Sequence, residues 1–332
     1  MGTCKCIDKS TEDSAVILEE TFKKEKTAQE FTTMTSEPKT QLIQALTRGY
    51  LARSQIKLEQ SETIKKESTF QYLLSKEVRT ILSNHLNCSL LSATREFPTV
   101  KLPDGSIYYG ETKVKNLPDG LGERYYNDGA YIQGSWKNGE LNGKGLMIFN
   151  NGNYYKGDFL NSKFEGQGQL RTLDRNVYEG EWVGGKQHGK GIEKWPDGSY
   201  FEGFFLNGNK NGKGKFLWND GSSYIGDFCD NQISGNGVYK WMDGRQYIGE
   251  WKNDMMHGKG KYTWPDGRSY EGEYLNDKKE GFGVFTWADG KRYEGGWKEN
   301  KQQGISVIIE KNDQYEIVKK GEWVNGNRIR WL

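Results

Sequence analysis

The sequence predicts a mainly β protein: an elongated, single-layer array of antiparallel β-hairpins, preceded by an α-helical N-terminal region. Three observations carry that prediction. Glycine is abundant, with 43 residues, while proline is scarce, with 6, which argues against collagen and against a Pro/Gly-rich disordered tract. Aromatic residues are plentiful, with 11 Trp, 19 Tyr and 14 Phe. Finally, an aromatic-x-Gly-x-aromatic motif recurs at a fixed spacing of 23 residues, centred on Gly157, Gly180, Gly203, Gly226, Gly249, Gly272 and Gly295. A constant period of that length is the signature of stacked supersecondary units.

Each copy pairs the glycine with aromatic residues two positions away. Tyr155, Gly157 and Phe159 form one copy, and Tyr178, Gly180 and Trp182 the next. Tyr224 with Gly226, Tyr247 with Gly249 and Trp251, Tyr270 with Gly272, and Tyr293 with Gly295 and Trp297 continue the series. Weaker copies flank it around Gly110, Gly134 and Gly321. Side chains alternate along an extended strand, so Tyr178, Gly180 and Trp182 share one face and Glu179 and Glu181 the other. A Gly-x-Gly step follows nine residues on, as at Gly189/Gly191 and Gly258/Gly260, and an Asp-Gly pair closes most units, as at Asp197-Gly198 and Asp266-Gly267. Asp-Gly is a strong local hairpin signal because glycine tolerates positive φ. It predicts one hairpin per unit, with a ring from a neighbouring unit lying over the gap that the central glycine leaves. The repeated carboxylates read as a solvated face. About ten units at two strands each would span on the order of 90 Å.

These units resemble MORN repeats. The pattern Tyr-x-Gly-x-Trp-x-x-Gly-x-x-x-Gly-x-Gly-x-x-x-aromatic-x-Asp-Gly is matched closely from Tyr178, Tyr247 and Tyr270, and the resemblance spans about residues 105–326. Asp174-Arg175 and Asp313-Gln314 depart from Asp-Gly, and Gly304-Ile305-Ser306 loses the second glycine. The resemblance implies a binding scaffold without catalytic residues, cofactor or metal, whose repeat face takes an unidentified protein partner. His188 and His257 occupy the same loop position in their units and read as loop residues, not a catalytic pair. The Gly-x-Gly steps are not phosphate loops, since no helix follows them. A net charge of +2 gives no field favouring nucleic acid, and no nucleic-acid partner is expected.

The composition changes near residue 97: only Gly2 and Gly49 precede it. Four segments are expected: a flexible, acylatable tether at 1–38, a helix at 39–60, a helical segment at 61–97 that docks on the array, and the repeat domain at 98–332. Residues Ile43, Gln44, Arg48, Gly49, Arg53 and Ile56 are similar to the IQ motif. From Lys39 to Lys57 there are four basic residues and no acidic ones. A basic amphipathic helix of this kind suits the apolar groove and acidic rim of calmodulin or a calmodulin-like EF-hand protein, which is the partner the resemblance implies. Between Thr69 and Ser92, apolar residues including Val78, Ile81, Leu82 and Leu86 form a stripe expected to dock on the first hairpins. At the start of the chain, Gly2 is a candidate for myristoylation and Cys4 and Cys6 for palmitoylation, which together would give stable membrane contact. Cys6 departs from the usual Ser or Thr at that position. The expected setting is the cytoplasmic side of a membrane, the cell cortex, or a cilium or other cytoskeletal assembly. A structural axonemal part without an anchor and a phospholipid-binding module are the alternatives.

Overall fold

The computed structural model describes residues 97–311 and 315–332. The IQ-like residues, the three lipidation candidates and the helices expected at 39–60 and 61–97 lie outside the described residues. By its internal packing the chain divides into two units, whose described parts are residues 97–196 and 197–332. Among the described residues there is no α-helix, only a single 3-10 turn at Val114–Asn116.

The first unit holds β1 (Thr99–Lys101), β2 (Ile107–Lys113), β3 (Leu117–Tyr125), β4 (Tyr131–Lys137), β5 (Glu140–Ile148), β6 (Tyr154–Leu160), β7 (Lys163–Arg171), β8 (Val177–Val183) and β9 (Lys186–Lys194). The second holds β10 (Tyr200–Leu206), β11 (Asn209–Leu217), β12 (Ser223–Cys229), β13 (Gln232–Lys240), β14 (Gln246–Lys252), β15 (Met255–Thr263), β16 (Ser269–Leu275), β17 (Lys278–Thr286), β18 (Arg292–Lys298), β19 (Lys301–Lys311), β20 (Glu316–Val324) and β21 (Asn327–Trp331). Within each unit every strand pairs antiparallel with the strands before and after it in sequence. Within each unit the described residues form the antiparallel single-layer sheet that the 23-residue period predicts.

The turns differ from the sequence-based expectation. The hairpin inside each repeat is not closed by Asp-Gly. It is closed by a two-residue turn such as Asn253-Asp254 or Asn276-Asp277, in which both residues have positive φ (50° and 65°, 49° and 65°). Two consecutive left-handed residues are the mark of the primed turn whose twist suits a hairpin, and Asn and Asp tolerate that conformation best after glycine. Asp-Gly sits in the wider connection to the next repeat. There the Trp264 amide donates to the Arg268 carbonyl at 2.9 Å, the Gly267 amide to the Trp264 carbonyl at 3.1 Å, and Asp266 Oδ1 accepts from the Arg268 amide at 3.1 Å. Gly267 carries φ +91°.

A register slip follows the central glycine. In β14 and β15, Gly249 faces Gly260 but Glu250 faces His257, so two residues of β15 bulge out. The slip is two residues wide, so side chains before and after it keep to the same faces. Glu250 Oε1 accepts the bulge amide of Lys259 at 2.8 Å. Glu181 does the same for Lys190 at 3.0 Å, Asp227 for Asn236 at 3.0 Å and Asp158 for Gln167 at 3.1 Å. The acidic residue after the central glycine is therefore a cap on a stranded backbone donor, which corrects the reading of these carboxylates as a solvated face. Such a charge-assisted bond is stronger than a neutral one.

Candidate interaction surface

The motif aromatics line one face of the strands, here called the inner face. Tyr155, Tyr224, Tyr247, Tyr270 and Tyr293 have no exposed surface, and Tyr178 has almost none. Each tyrosine ring lies along its own strand over two glycines. A Cβ added at Gly249 would sit 2.5 Å from the Gly260 Cα and 2.7 Å from the Tyr247 hydroxyl, and one added at Gly260 would meet the Tyr247 ring at 2.4 Å. The same enclosure holds at Gly157, Gly180, Gly226 and Gly272. At Gly295 the nearest atoms belong to Ser306, which stands where a second glycine would be and bonds the Tyr293 hydroxyl at 2.6 Å. The covering ring thus comes from the same repeat, not from a neighbour as the spacing suggested. The neighbour contributes an edge: Tyr155 meets Trp182 at 5.3 Å, Tyr247 meets Tyr274 at 5.2 Å and Tyr270 meets Trp297 at 5.2 Å, all near perpendicular. Trp136, Trp182 and Trp297 also donate their indole N–H to the carbonyls of Gly122, Gly168 and Gly283, each at 3.1 Å. The Trp251 indole N–H, at the same place, is buried without a hydrogen-bond partner. Burial pushes the phenols of Tyr178, Tyr247 and Tyr270 well above the ordinary tyrosine value.

Beside this sealed row, nearer the Asp-Gly connections, runs a second row that stays half-open. From Phe216 to Trp287 it is aromatic at every position. Phe216 stacks on Trp218 at 4.5 Å, Trp218 meets Tyr239 at 5.1 Å, and Tyr239 meets Trp241 at 4.5 Å. Trp241 meets Tyr262 at 5.2 Å, Tyr262 meets Trp264 at 4.5 Å, Trp264 meets Phe285 at 5.8 Å, and Phe285 meets Trp287 at 5.0 Å. Eight rings therefore form an unbroken ladder, and all but Tyr262 keep part of their surface in solvent. The sequence pattern contained these rings as the aromatic before each Asp-Gly. Counting alternation across the Gly-x-Gly step would have placed them on the inner face.

Cations flank the ladder. Arg245 lies 5.4 Å over Trp241 and Arg268 5.4 Å over Trp264, each also paired with the Asp of its own turn, Asp243 at 2.6 Å and Asp266 at 2.8 Å. Lys279 is held differently. Its ammonium sits between 4.8 and 5.3 Å from the ring centres of Trp264, Tyr270, Phe285 and Trp297. Removal from water, helped by the charge of Arg268, lowers its pKa to about 8. Past the ladder, Trp287, Trp323 and Trp331 border an open pocket of about 410 Å³ with Lys291, Lys319 and Arg328 on its wall. Glu310 pairs with Lys291 at 2.8 Å and Lys319 at 3.0 Å.

No group of His, Cys, Asp and Glu among the described residues is arranged to hold a metal. His188 and His257 flank the bulges, where their backbone carbonyls accept from Tyr178 at 3.4 Å and Tyr247 at 3.3 Å, and their Nδ1 atoms are buried without a partner.

No curated protein matches the chain. Among solved structures, a mutant of the TCP10 domain of Danio rerio CPAP is 11% identical, with a TM-score of 0.34, over 60% of this chain and 93% of that one. The Drosophila melanogaster SAS-4 (dCPAP) TCP domain, solved with a proline-rich motif of Ana2 (dSTIL), is 13% identical, with a TM-score of 0.31, over 54% of this chain and 90% of that one. The MORN repeat family model matches nine segments between residues 112 and 305. Those segments carry the tyrosine–glycine enclosure, the capped bulge and the Asp-Gly connection, and the chain belongs to the MORN repeat family.

Proposed function

We propose that this protein is a non-enzymatic scaffold that holds a protein partner on the aromatic ladder of residues 197–332 and a calmodulin-like protein on the IQ-like segment around Ile43, Gln44, Arg48, Gly49, Arg53 and Ile56. The observation that carries the first part is the ladder itself. A sealed aromatic row alone would suffice to hold the repeats together, yet a second row of eight rings keeps part of its surface in water. Tyr, Trp and Arg in half-exposed positions are the residue types that anchor protein interfaces. An extended segment of a partner laid across the rings would cover them without any change in the strands.

Phospholipid is a poor fit for the same surface. Arg245, Arg268, Lys291 and Lys319 are matched by neighbouring acids at Asp243, Asp266 and Glu310, and the Lys279 ammonium is enclosed by rings, whereas recognition of an anionic membrane needs clustered, unmatched Lys and Arg. Membrane contact, where it occurs, is assigned to acyl chains at Gly2, Cys4 and Cys6. A cortical or ciliary cytoskeletal setting is the competing location.

The test is proximity labelling in cells with the full chain and with a Trp218→Ala, Trp241→Ala, Trp264→Ala variant whose circular dichroism is unchanged. A defined set of labelled proteins should disappear with the three indoles; an unaltered set sinks the ladder as the binding surface. Loss of calmodulin co-purification on Ile43→Asp and Arg48→Asp checks the second part. Detergent extraction of a Gly2→Ala, Cys4→Ser, Cys6→Ser variant separates anchoring by acyl chains from retention in the cytoskeleton.

A further inference from the structure

The reverse face of the sheet, opposite the buried tyrosines, carries apolar residues in several places, Ile225, Val238 and Ile248 in β12–β14 among them, but among the described residues only those of β3–β6 are closed to water. There Tyr125, Tyr131, Ile148 and Tyr154 stand side by side in register, with Leu146 next to them. Tyr125 and Tyr131 are in ring contact at 5.1 Å. These side chains are closed to water: Tyr131 is 2% exposed, Ile148 0%, Tyr154 6% and Leu146 8%.

That closure is not a property of the repeat. Tyr200 occupies the position of Tyr131 and Tyr154 in a later repeat, and Leu217 that of Ile148, and both are only half-buried. Arg171 and Lys194 stand at the Ile148 position in the intervening repeats and are exposed. Side chains of similar kind at the same repeat position on the same face thus differ in exposure; Ile148 has Tyr131 and Tyr154 beside it, Leu217 has Tyr200 and Ser223, and flanking side chains leave the outward side of a strand open. The strands of this unit pair side by side, and no described strand is packed across the reverse face. An apolar cluster on one side of a lone sheet needs a second layer to close it.

We propose that the second layer is the chain's own segment between Thr69 and Ser92, docked across β3–β6 through its apolar stripe. Val78, Ile81, Leu82 and Leu86 recur at the spacing of one helical face, and an amphipathic stripe of that kind has to be buried against something. The chain also ends the segment in the right place. Ser92 lies five residues before Phe97, which leads into β1 beside β2. From β1 to β6 is about 25 Å at a strand spacing of about 4.8 Å. A helix over residues 69–92 would be about 36 Å long, enough to cross the cluster without a linker. A second copy of the protein would close the patch equally well, but it would have to displace a segment tethered beside it.

The experiment is hydroxyl-radical footprinting of the full chain, read at Tyr131, Tyr154 and, as an internal control, Tyr200. In the native chain Tyr131 and Tyr154 are expected to be modified several-fold more slowly than Tyr200. In an Ile81→Glu, Leu82→Glu variant the two should accelerate to the rate of Tyr200 while Tyr200 itself does not change. Equal rates at all three tyrosines in the native chain overturn the proposal, because the patch would then be open. Slow modification that survives the double substitution overturns it too, since another element would be the cover. Protection that falls on dilution, with a matching change in mass by light scattering, assigns the patch to a second copy and equally overturns it. A variant with Val78→Ala alone, which keeps the stripe apolar, guards against general unfolding: its Tyr131 rate should lie between the two extremes.

Discussion

The two units use one backbone plan and differ in what they do with each face. Residues 197–332 carry an aromatic ladder on the inner face and a reverse face that is open to water. Residues 97–196 do the opposite. Their second inner row is mixed, with Arg124 and Tyr126, Met147 and Phe149, then Leu170 and Thr172, while their reverse face bears the sealed cluster around Ile148. The buried row is almost the same in both. The positions that make the fold are those where a tyrosine lies on two glycines, and they leave little freedom. The positions one row out are read by whatever lies above the sheet, and they diverge.

That contrast can be broken by substitution. The largest effect is expected on the reverse face. Ile148→Lys, which installs a residue found exposed at the same position as Lys194, should cost about 4 kcal/mol through an unpaired buried charge, whereas Leu217→Lys should stay within about 1 kcal/mol. Denaturant melts of the full chain would show it, and equal costs would mean the two reverse faces do not differ. Next come the enclosed glycines. Gly157→Ala and Gly249→Ala each place a Cβ 2.5 Å from the facing glycine's Cα. Each should cost about 3 kcal/mol, the same in both units, because overpacking there has no room to relax.

On the inner face the units should separate again. Trp264→Ala removes two ring neighbours and two cation contacts, while Phe149→Ala removes a single ring contact at 6.3 Å. Costs of about 2 and about 1 kcal/mol are expected, read as hydrogen-exchange protection in the peptides of each unit. Tyr247→Phe should cost no more than about 1 kcal/mol, since it loses only the hydroxyl's bonds to the Glu250 and His257 carbonyls, and Phe201 already fills the equivalent place.

The last effect depends on pH. Lys279 has a folded pKa of about 8 against an ordinary 10.5. Between those values the unfolded chain binds a proton that the folded chain does not, so stability rises with pH across that window. The buried tyrosines act in reverse at higher pH: unfolded phenols ionise above about 10 while folded ones keep their protons, and stability falls. Lys279→Met should abolish the rise between pH 8 and 10 and leave the later fall in place. Thermal melts across that range would decide it; a rise that persists in the variant assigns it to another group.

The fold class was legible in the sequence because its cause is repeated at a fixed interval. Tyrosine, glycine and aromatic at alternate positions can only mean one face of a strand, and a constant 23-residue return means the strands stack in register. The turn geometry was harder to read. Asp-Gly is nearly constant and draws attention, but the two-residue turns are Asn138-Gly139, Asn161-Ser162, Gly184-Gly185, Asp230-Asn231 or Glu299-Asn300. What unites them is a tolerance for positive φ, not an identity. The bulge was hidden for a related reason: Glu250 and Glu181 look like ordinary surface acids until the stranded amides of Lys259 and Lys190 are placed beside them. The ladder could have been found by following alternation past the bulge, since a two-residue slip preserves parity. The sealed reverse face could not, because Tyr131 and Tyr200 are the same residue at the same repeat position and yet one is buried and the other half-exposed.

The paired slip and turn also govern how such an array can grow. A seven-residue strand, a two-residue turn, a nine-residue strand and a five-residue connection bring the chain back to the same face with every glycine again beneath a ring. Gain or loss of one whole repeat is therefore silent to the rest of the sheet, and duplication can lengthen the array without renegotiating any contact. Gain or loss of a single residue within a strand has the opposite character: it turns the ladder to the reverse side from that point on and presents charged side chains where rings should meet. Lineages of this protein should accordingly differ in repeat number while holding the length of each repeat nearly constant, with irregular spacing tolerated only at places like the stretch between Gly295 and Gly321, where the second glycine has already been given up.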